Sequence, residues 1–139
     1  MKALMLCWAL LSGPVDTPAA LRGCMHAYPA TLAHEDADLL LSVGYVETRW
    51  RSGLVSSTGC CGPWQVNPKW SSKTCEELDQ VEHATAAAAS SLRYWDKRCK
   101  GDTVCALRGY ACGNDGVRNK CGKGYAAKVA ASRRLLFGR

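Results

Sequence analysis

The sequence predicts a small, mainly α-helical domain built around one irregular central loop and stapled by disulfides. Three observations predict it. Apolar residues recur at three- and four-residue intervals in four segments; residues 52–72, between the first two, have no such period; and nine cysteines fall within 139 residues. A chain of this length suits one domain with a single modest core, and neither a repeat nor a low-complexity linker divides it.

At the start of the chain, MKALMLCWALLSG places one lysine before an apolar run over residues 3–11, and Thr17-Pro18-Ala19 supplies small residues around a cut. Residues 1–19 are therefore expected to be a secretory signal cleaved after Ala19, with Ala20 the next choice, and 20–139 the mature domain. A buried first helix is the alternative. The run is too short to span a bilayer, so no stable membrane insertion is expected after cleavage.

A first helix is expected from a Thr31 cap, with Glu35 and Asp36 near its positive end and Leu32, Leu39, Val43, Val46 and Trp50 as its buried stripe. Glu47 follows Val46 by about 100° of rotation, which sets it at the margin of that stripe, near the helix end. A second helix opens with a capping box at Thr74-Cys75-Glu76-Glu77 and continues through Leu78, Val81, Thr85, Ala88, Leu92 and Trp95. Its slim alanine portion, 84–89, makes it the expected central helix. Asp102 caps a third helix that reaches Ala111 before Gly113, and a fourth covers roughly 125–137 ahead of Gly138. The loop between the first two helices is expected to be irregular or a short hairpin.

Loss of the leader would remove Cys7 and leave Cys24, Cys60, Cys61, Cys75, Cys99, Cys105, Cys112 and Cys121, enough for four bridges. Such density belongs to small domains in an oxidising compartment, so a secreted or periplasmic location is expected. Spacing alone leaves 105 connectivities. Adjacent cysteines bond each other only with strain, so Cys60 and Cys61 are expected to reach different partners and staple the loop to the helical body. With no CxxC pair and with His26, His34 and His83 scattered, no metal is expected. The net charge is +6; from Arg93 onward twelve lysines and arginines face three aspartates, leaving +9 there and −3 in the remainder. A basic half suits an anionic polymer such as cell wall or nucleic acid. Nucleic acid is not the expected partner, because no Gly-rich phosphate loop, RNP-like aromatic run or zinc-finger spacing occurs.

The segment ETRWRSGLVSSTGCCGPWQVNP, from Glu47 to Pro68, resembles without a gap the pattern E-S-x-F/W-x-P-x-x-x-S-x-x-G-A-x-G-L-M-Q-x-x-P of soluble lytic transglycosylases and goose-type lysozymes. Glu47, Trp50, Ser56, Gly59, Gly62, Gln65 and Pro68 fall on its Glu, aromatic, Ser, Gly, Gly, Gln and Pro. ALRGYACG at 106–113 is similar to the family's A-x-x-x-Y-N-A-G, and 125–129 resembles its Y-x-x-K-V. Thr48, Pro63, Trp64 and Ala111 depart from the family's Ser, Leu, Met and Asn, and Cys60 and Cys112 stand at its alanines.

The resemblance implies an α+β lysozyme-like fold and cleavage of the β-1,4 bond between N-acetylmuramic acid and N-acetylglucosamine in peptidoglycan glycan strands. It implies Glu47 as the single catalyst, with no cofactor, and a monomer is expected. A glycosidic oxygen leaves poorly until protonated, so Glu47 must be kept protonated near neutral pH by apolar neighbours such as Trp50 or Trp64. Once ionised, it can take the proton of the muramic acid C6 hydroxyl, which attacks C1 and closes a 1,6-anhydro ring. A hydrolase would need a second carboxylate, at about 5 Å as nucleophile or roughly 6.5–9.5 Å to activate water. The next acids, Glu76 and Glu77, are accounted for by the capping box, which favours the transglycosylase. A lysozyme, or a catalytically silent wall-binding or antimicrobial protein, is the alternative; a phage lysin and a wall-opening component of a secretion or conjugation machine are the settings that fit. The resemblance further implies that Ser56 bonds near Glu47 or the sugar, that Gln65 binds an N-acetyl or hydroxyl group, and that Tyr110 and Tyr125 line the cleft. Trp64 either stacks a sugar or fills the core.

Overall fold

A computed structural model of the chain describes Cys7 and residues 18–138, the side chains of 18–21 apart. The described residues are mainly helical and include no strand. Helix α1 is Pro18–Thr31, α2 Ala37–Thr48, α3 Pro68–Ser71, α4 Cys75–Leu78, α5 Val81–Arg98, α6 Thr103–Cys112, α7 Asn114–Val117 and α8 Lys123–Phe137. None is long and apolar enough to cross a membrane. Apart from Cys7 and the start of α1, the expected leader lies outside the described residues.

Helix α1 occupies a stretch in which sequence periodicity indicates no element, because Gly23 and Pro29 interrupt its pattern. Thr31 therefore does not cap the next helix. It closes α1, buried, with its hydroxyl donating to the Tyr28 carbonyl at 2.8 Å. The following turn delays α2 to Ala37 with Asp36 at its N-cap, and Leu32 falls on that turn, 60% exposed, outside the buried stripe.

The central helix is α2 rather than the alanine-rich one. Seven of its twelve residues are buried, against five of the eighteen in α5. The run LLLSVG is apolar nearly all round, and its one hydroxyl, Ser42, donates to the Asp38 carbonyl at 2.7 Å. Helices α1, α5 and α8 pack around it, while α6 packs on α5, α7 and α8. The Thr74 capping box forms as expected, with Glu77 as its reciprocal partner. The helix nevertheless breaks at Asp79, whose carboxylate accepts from the Gly53 backbone N–H at 2.8 Å and so ties the central loop to the α4–α5 corner. Asp102 caps α6 by accepting from Cys105 N–H, and Gly138 ends α8 in the left-handed region.

The bridges are Cys7–Cys24, Cys61–Cys75, Cys99–Cys105 and Cys112–Cys121. This corrects the expected set of eight: Cys7 is a buried partner of Cys24, and Cys60 is the free cysteine. Cys24 faces inward from α1, and of the adjacent pair it is Cys61 that turns toward α4. That bridge staples the central loop to the helical body. A closed loop of its size limits the unfolded chain by about 3 kcal/mol.

Candidate active site

The last turn of α2 holds Glu47. Arg49 and Trp50 both take positive φ, 56° and 60°, so the helix cannot run on past Thr48. Arg49 N–H donates to the Tyr45 carbonyl at 2.9 Å and Trp50 N–H to the Gly44 carbonyl at 3.2 Å. Left-handed backbone costs a non-glycine residue about 1–2 kcal/mol. Side chains offset that cost. The Trp50 indole donates to the Leu41 carbonyl at 2.9 Å and packs on the Tyr45 ring, centroids 5.1 Å apart. The Arg49 guanidinium lies 4.9 Å from the centre of the same ring and donates to the Tyr45 hydroxyl at 2.8 Å.

Two indoles cross α2 at Gly44, three residues before Glu47. A Cβ there would stand 2.7 Å from Trp64 Cε2 and 2.8 Å from Trp50 Cδ1. Trp64 is 0% exposed and donates its N–H to the Leu40 carbonyl at 2.7 Å, so it fills the core and presents no face on which a sugar could stack. Sequence alone left both roles open; the missing side chain at Gly44 makes room for the indole where the family carries Met.

The loop is laced to this helix end. Thr48 donates its hydroxyl to the buried Pro63 carbonyl at 2.7 Å and accepts from Arg51 N–H at 3.1 Å. Cys61 forms isolated antiparallel bridges with Val55 on one side and Val66 on the other, so the loop is a tight bridged turn without a regular hairpin. Gly62, at φ 77°, lies so close to α4 that a Cβ would stand 2.0 Å from the Leu78 carbonyl oxygen, which only glycine avoids.

Ser56 and Gln65 belong to this lacing. The Ser56 hydroxyl accepts from Cys60 N–H at 3.1 Å and shares a hydrogen bond with Thr58 at 3.1 Å. It holds the 56–60 turn, and these bonds lie within the loop rather than at Glu47. The Gln65 amide nitrogen donates to the Leu54 and Gly62 carbonyls at 3.1 and 3.0 Å, leaving its oxygen as the group open to an outside donor.

Glu47, Tyr110 and Tyr125 come together from α2, α6 and α8. The two tyrosine rings stack 6.5 Å apart at 14°, and Tyr110 donates to the Trp64 carbonyl at 2.7 Å. Burial raises the Glu47 carboxyl above the ordinary glutamate range, and the Tyr125 hydroxyl opposes this by favouring the ionised form. That hydroxyl is buried and closes no hydrogen bond of ordinary geometry, so it stands beside the carboxyl without being fully engaged. Tyr125 is pushed far upward by burial and then by the Glu47 charge. Tyr110 is raised by burial, by Glu47 and by Cys60, which brings the free thiol within electrostatic reach of the cluster. No carboxylate is among the groups that shift Glu47.

Thr48 is the residue that sequence reading undervalued. It appeared as a departure from the family's Ser, yet the shared hydroxyl one position after Glu47 was the available signal for a tie between helix and loop. Among the described residues no group of His, Cys, Asp or Glu stands ready to hold a metal ion. A hollow of about 130 Å³, lined by residues including His34, Leu39, Arg93 and Leu107, lies toward the N-terminal end of α2 and includes none of the Glu47 cluster. A family model described as the transglycosylase SLT domain matches residues 27–132. No curated protein and no solved structure matches the chain significantly.

Proposed function

The chain belongs to the transglycosylase SLT domain family and so acts on peptidoglycan, and on that premise we propose that it is a lytic transglycosylase in which Glu47 is the single acid and base. The observation that carries this reading is the environment of Glu47: a half-buried carboxyl at a helix end, raised by burial and gathered with Tyr110 and Tyr125 from two other helices. The raised pKa favours the protonated carboxyl, the form that protonation of the glycosidic oxygen between N-acetylmuramic acid and N-acetylglucosamine requires.

As that bond breaks, Glu47 becomes a carboxylate in a half-buried site. The Tyr125 hydroxyl can then donate to it, which stabilises the charge where it develops. The carboxylate next takes the proton of the muramic acid C6 hydroxyl, whose oxygen attacks C1 and closes the 1,6-anhydro ring. Attack from within the same sugar needs neither a positioned water nor a second carboxylate. Tyr110, fixed on the Trp64 carbonyl and stacked on Tyr125, keeps that hydroxyl aimed. Gln65 offers its amide oxygen to the N–H of an N-acetyl group, and Ser56 serves by shaping the turn between them.

The three bridges outside residues 1–19, Cys61–Cys75, Cys99–Cys105 and Cys112–Cys121, and a peptidoglycan substrate support an extracytoplasmic, secreted or periplasmic location, with residues 1–19 as the export leader. Removal of Cys7 with that leader would release Cys24 from its bridge and leave two thiols, Cys24 and Cys60. The function is tested by the release of soluble fragments from purified sacculi. Oxidised protein is expected to release them, whereas Glu47→Gln should still sediment with the wall and release nothing. Release that persists in Glu47→Gln would remove Glu47 from the chemistry.

A further inference from the structure

Trp70 is 79% exposed, an extreme value for an indole, while Trp50 and Trp64 are buried. It does not hang on a loose segment. Helix α3 has Pro68 in its first turn, the Asn67 side chain accepts from Lys69 N–H at 2.9 Å, and Trp70 N–H donates to the Asn67 carbonyl at 3.1 Å. Just upstream, Val66 exchanges backbone hydrogen bonds with Cys61 in both directions, at 2.9 and 3.1 Å. The indole is thus joined through a short rigid path to the loop that carries Gln65. Trp70 lies five positions beyond Gln65, a span of at most about 18 Å and so within the length of a few sugar rings. The Lys69 ammonium stands 5.4 Å from the indole centroid.

We propose that Lys69 and Trp70 form a saccharide platform that holds a muramoyl residue of the glycan strand outside the scissile bond. This rests on the peptidoglycan-cleaving reading above. The indole offers a flat apolar face to the C–H face of a pyranose, and the Lys69 ammonium, 5.4 Å from the ring centroid, pairs with the lactyl or stem-peptide carboxylate that distinguishes a muramoyl unit from a neutral sugar. The neighbours of Trp70 along the chain, Ser71, Ser72 and Lys73, are polar, and one indole face is enough for a sugar and far below what a stable protein interface buries. The platform supplies affinity and strand register, and Glu47 supplies the chemistry.

Two readouts test the platform, and neither depends on the other. In Glu47→Gln, soluble glycan strands prepared from sacculi should shield tryptophan emission from iodide quenching, and the shielded fraction should vanish when Trp70→Phe is added. In the parent enzyme, Trp70→Ala should raise KM for strands about tenfold, with the loss falling on KM rather than kcat, and Trp70→Tyr should restore most of it. Lys69→Ala should raise KM by a smaller factor that added salt erases. Iodide quenching that strands leave unchanged, absence of strand binding by Glu47→Gln, or an unaltered KM in Trp70→Ala would each overturn the proposal. Fragment release that survives Glu47→Gln would instead overturn the role of Glu47 and leave the quenching readout intact.

Discussion

Thr48→Val removes one hydroxyl and keeps the shape of the side chain. The lost group donates to the Pro63 carbonyl at 2.7 Å in a buried setting and accepts from Arg51 N–H at 3.1 Å. Arg51 N–H also reaches the Thr48 carbonyl at 3.4 Å and is partly covered, but the Pro63 carbonyl is left without its donor. Stranding a buried acceptor costs about 1–3 kcal/mol, so a loss near 2 kcal/mol is expected. For a chain of this size that lowers Tm by roughly 6–10 °C. The functional cost should be larger than stability alone implies. Thr48 is the direct tie between the Glu47 turn and the loop at Pro63, and its release loosens both Trp64, whose carbonyl anchors Tyr110, and the wall of the site. Release of dye from labelled sacculi at 25 °C, where the variant is still folded, should fall at least tenfold, and Thr48→Ser should recover most of both losses. A Thr48→Val protein that melts and works like the parent would refute the tie.

Gly44→Ala should destabilise the fold although alanine is the better helix former: a Cβ 2.7 Å from Trp64 and 2.8 Å from Trp50 must push apart two hydrogen-bonded indoles, so overpacking of about 1–3 kcal/mol outweighs a gain of about 1 kcal/mol in propensity. A raised Tm would contradict this. In Tyr125→Phe the hydroxyl that lowers the Glu47 pKa is gone, so that pKa rises further, the alkaline limb of the pH–rate profile moves to higher pH, and kcat falls about tenfold for want of a donor to the carboxylate. A limb that moves to lower pH would reverse the assignment of that hydroxyl. Alkylation of the denatured full-length chain without reductant should add one label, on Cys60, by intact mass; three labels, on Cys7, Cys24 and Cys60, would mean that the Cys7–Cys24 bridge is absent.

Features governed by neighbouring residues could be recognised in the sequence. The Thr74–Glu77 box, the Asp102 cap and the Gly138 stop act within one turn, and all three formed. Glu47, Tyr110 and Tyr125 lie in three separate family motifs, and the structure brings the two rings together beside the carboxyl. Features decided by distant neighbours could not be recognised. Helix α1 was hidden by Gly23 and Pro29, residues that disfavour a helix locally but are overridden by packing against α2 and α5. The bridge of Cys24 to Cys7 depended on that hidden helix. Trp64 and Trp70 look alike in a loop without period; which of them is enclosed depends on Gly44, twenty residues upstream, and on a short capped helix downstream. The motif position of Ser56 implied a bond near Glu47 or the sugar, whereas local turn geometry already offered its hydroxyl a partner at Cys60 N–H.

The central claim is that one carboxyl, Glu47, both protonates the leaving oxygen and drives closure of the anhydro ring. Mass spectrometry of the soluble muropeptides released from purified sacculi by oxidised protein, with Glu47→Gln in parallel, tests it most directly. The account predicts 1,6-anhydromuramic ends from the parent and none from the variant; reducing muramic ends would contradict it, because they require an activated water and a second group to position it.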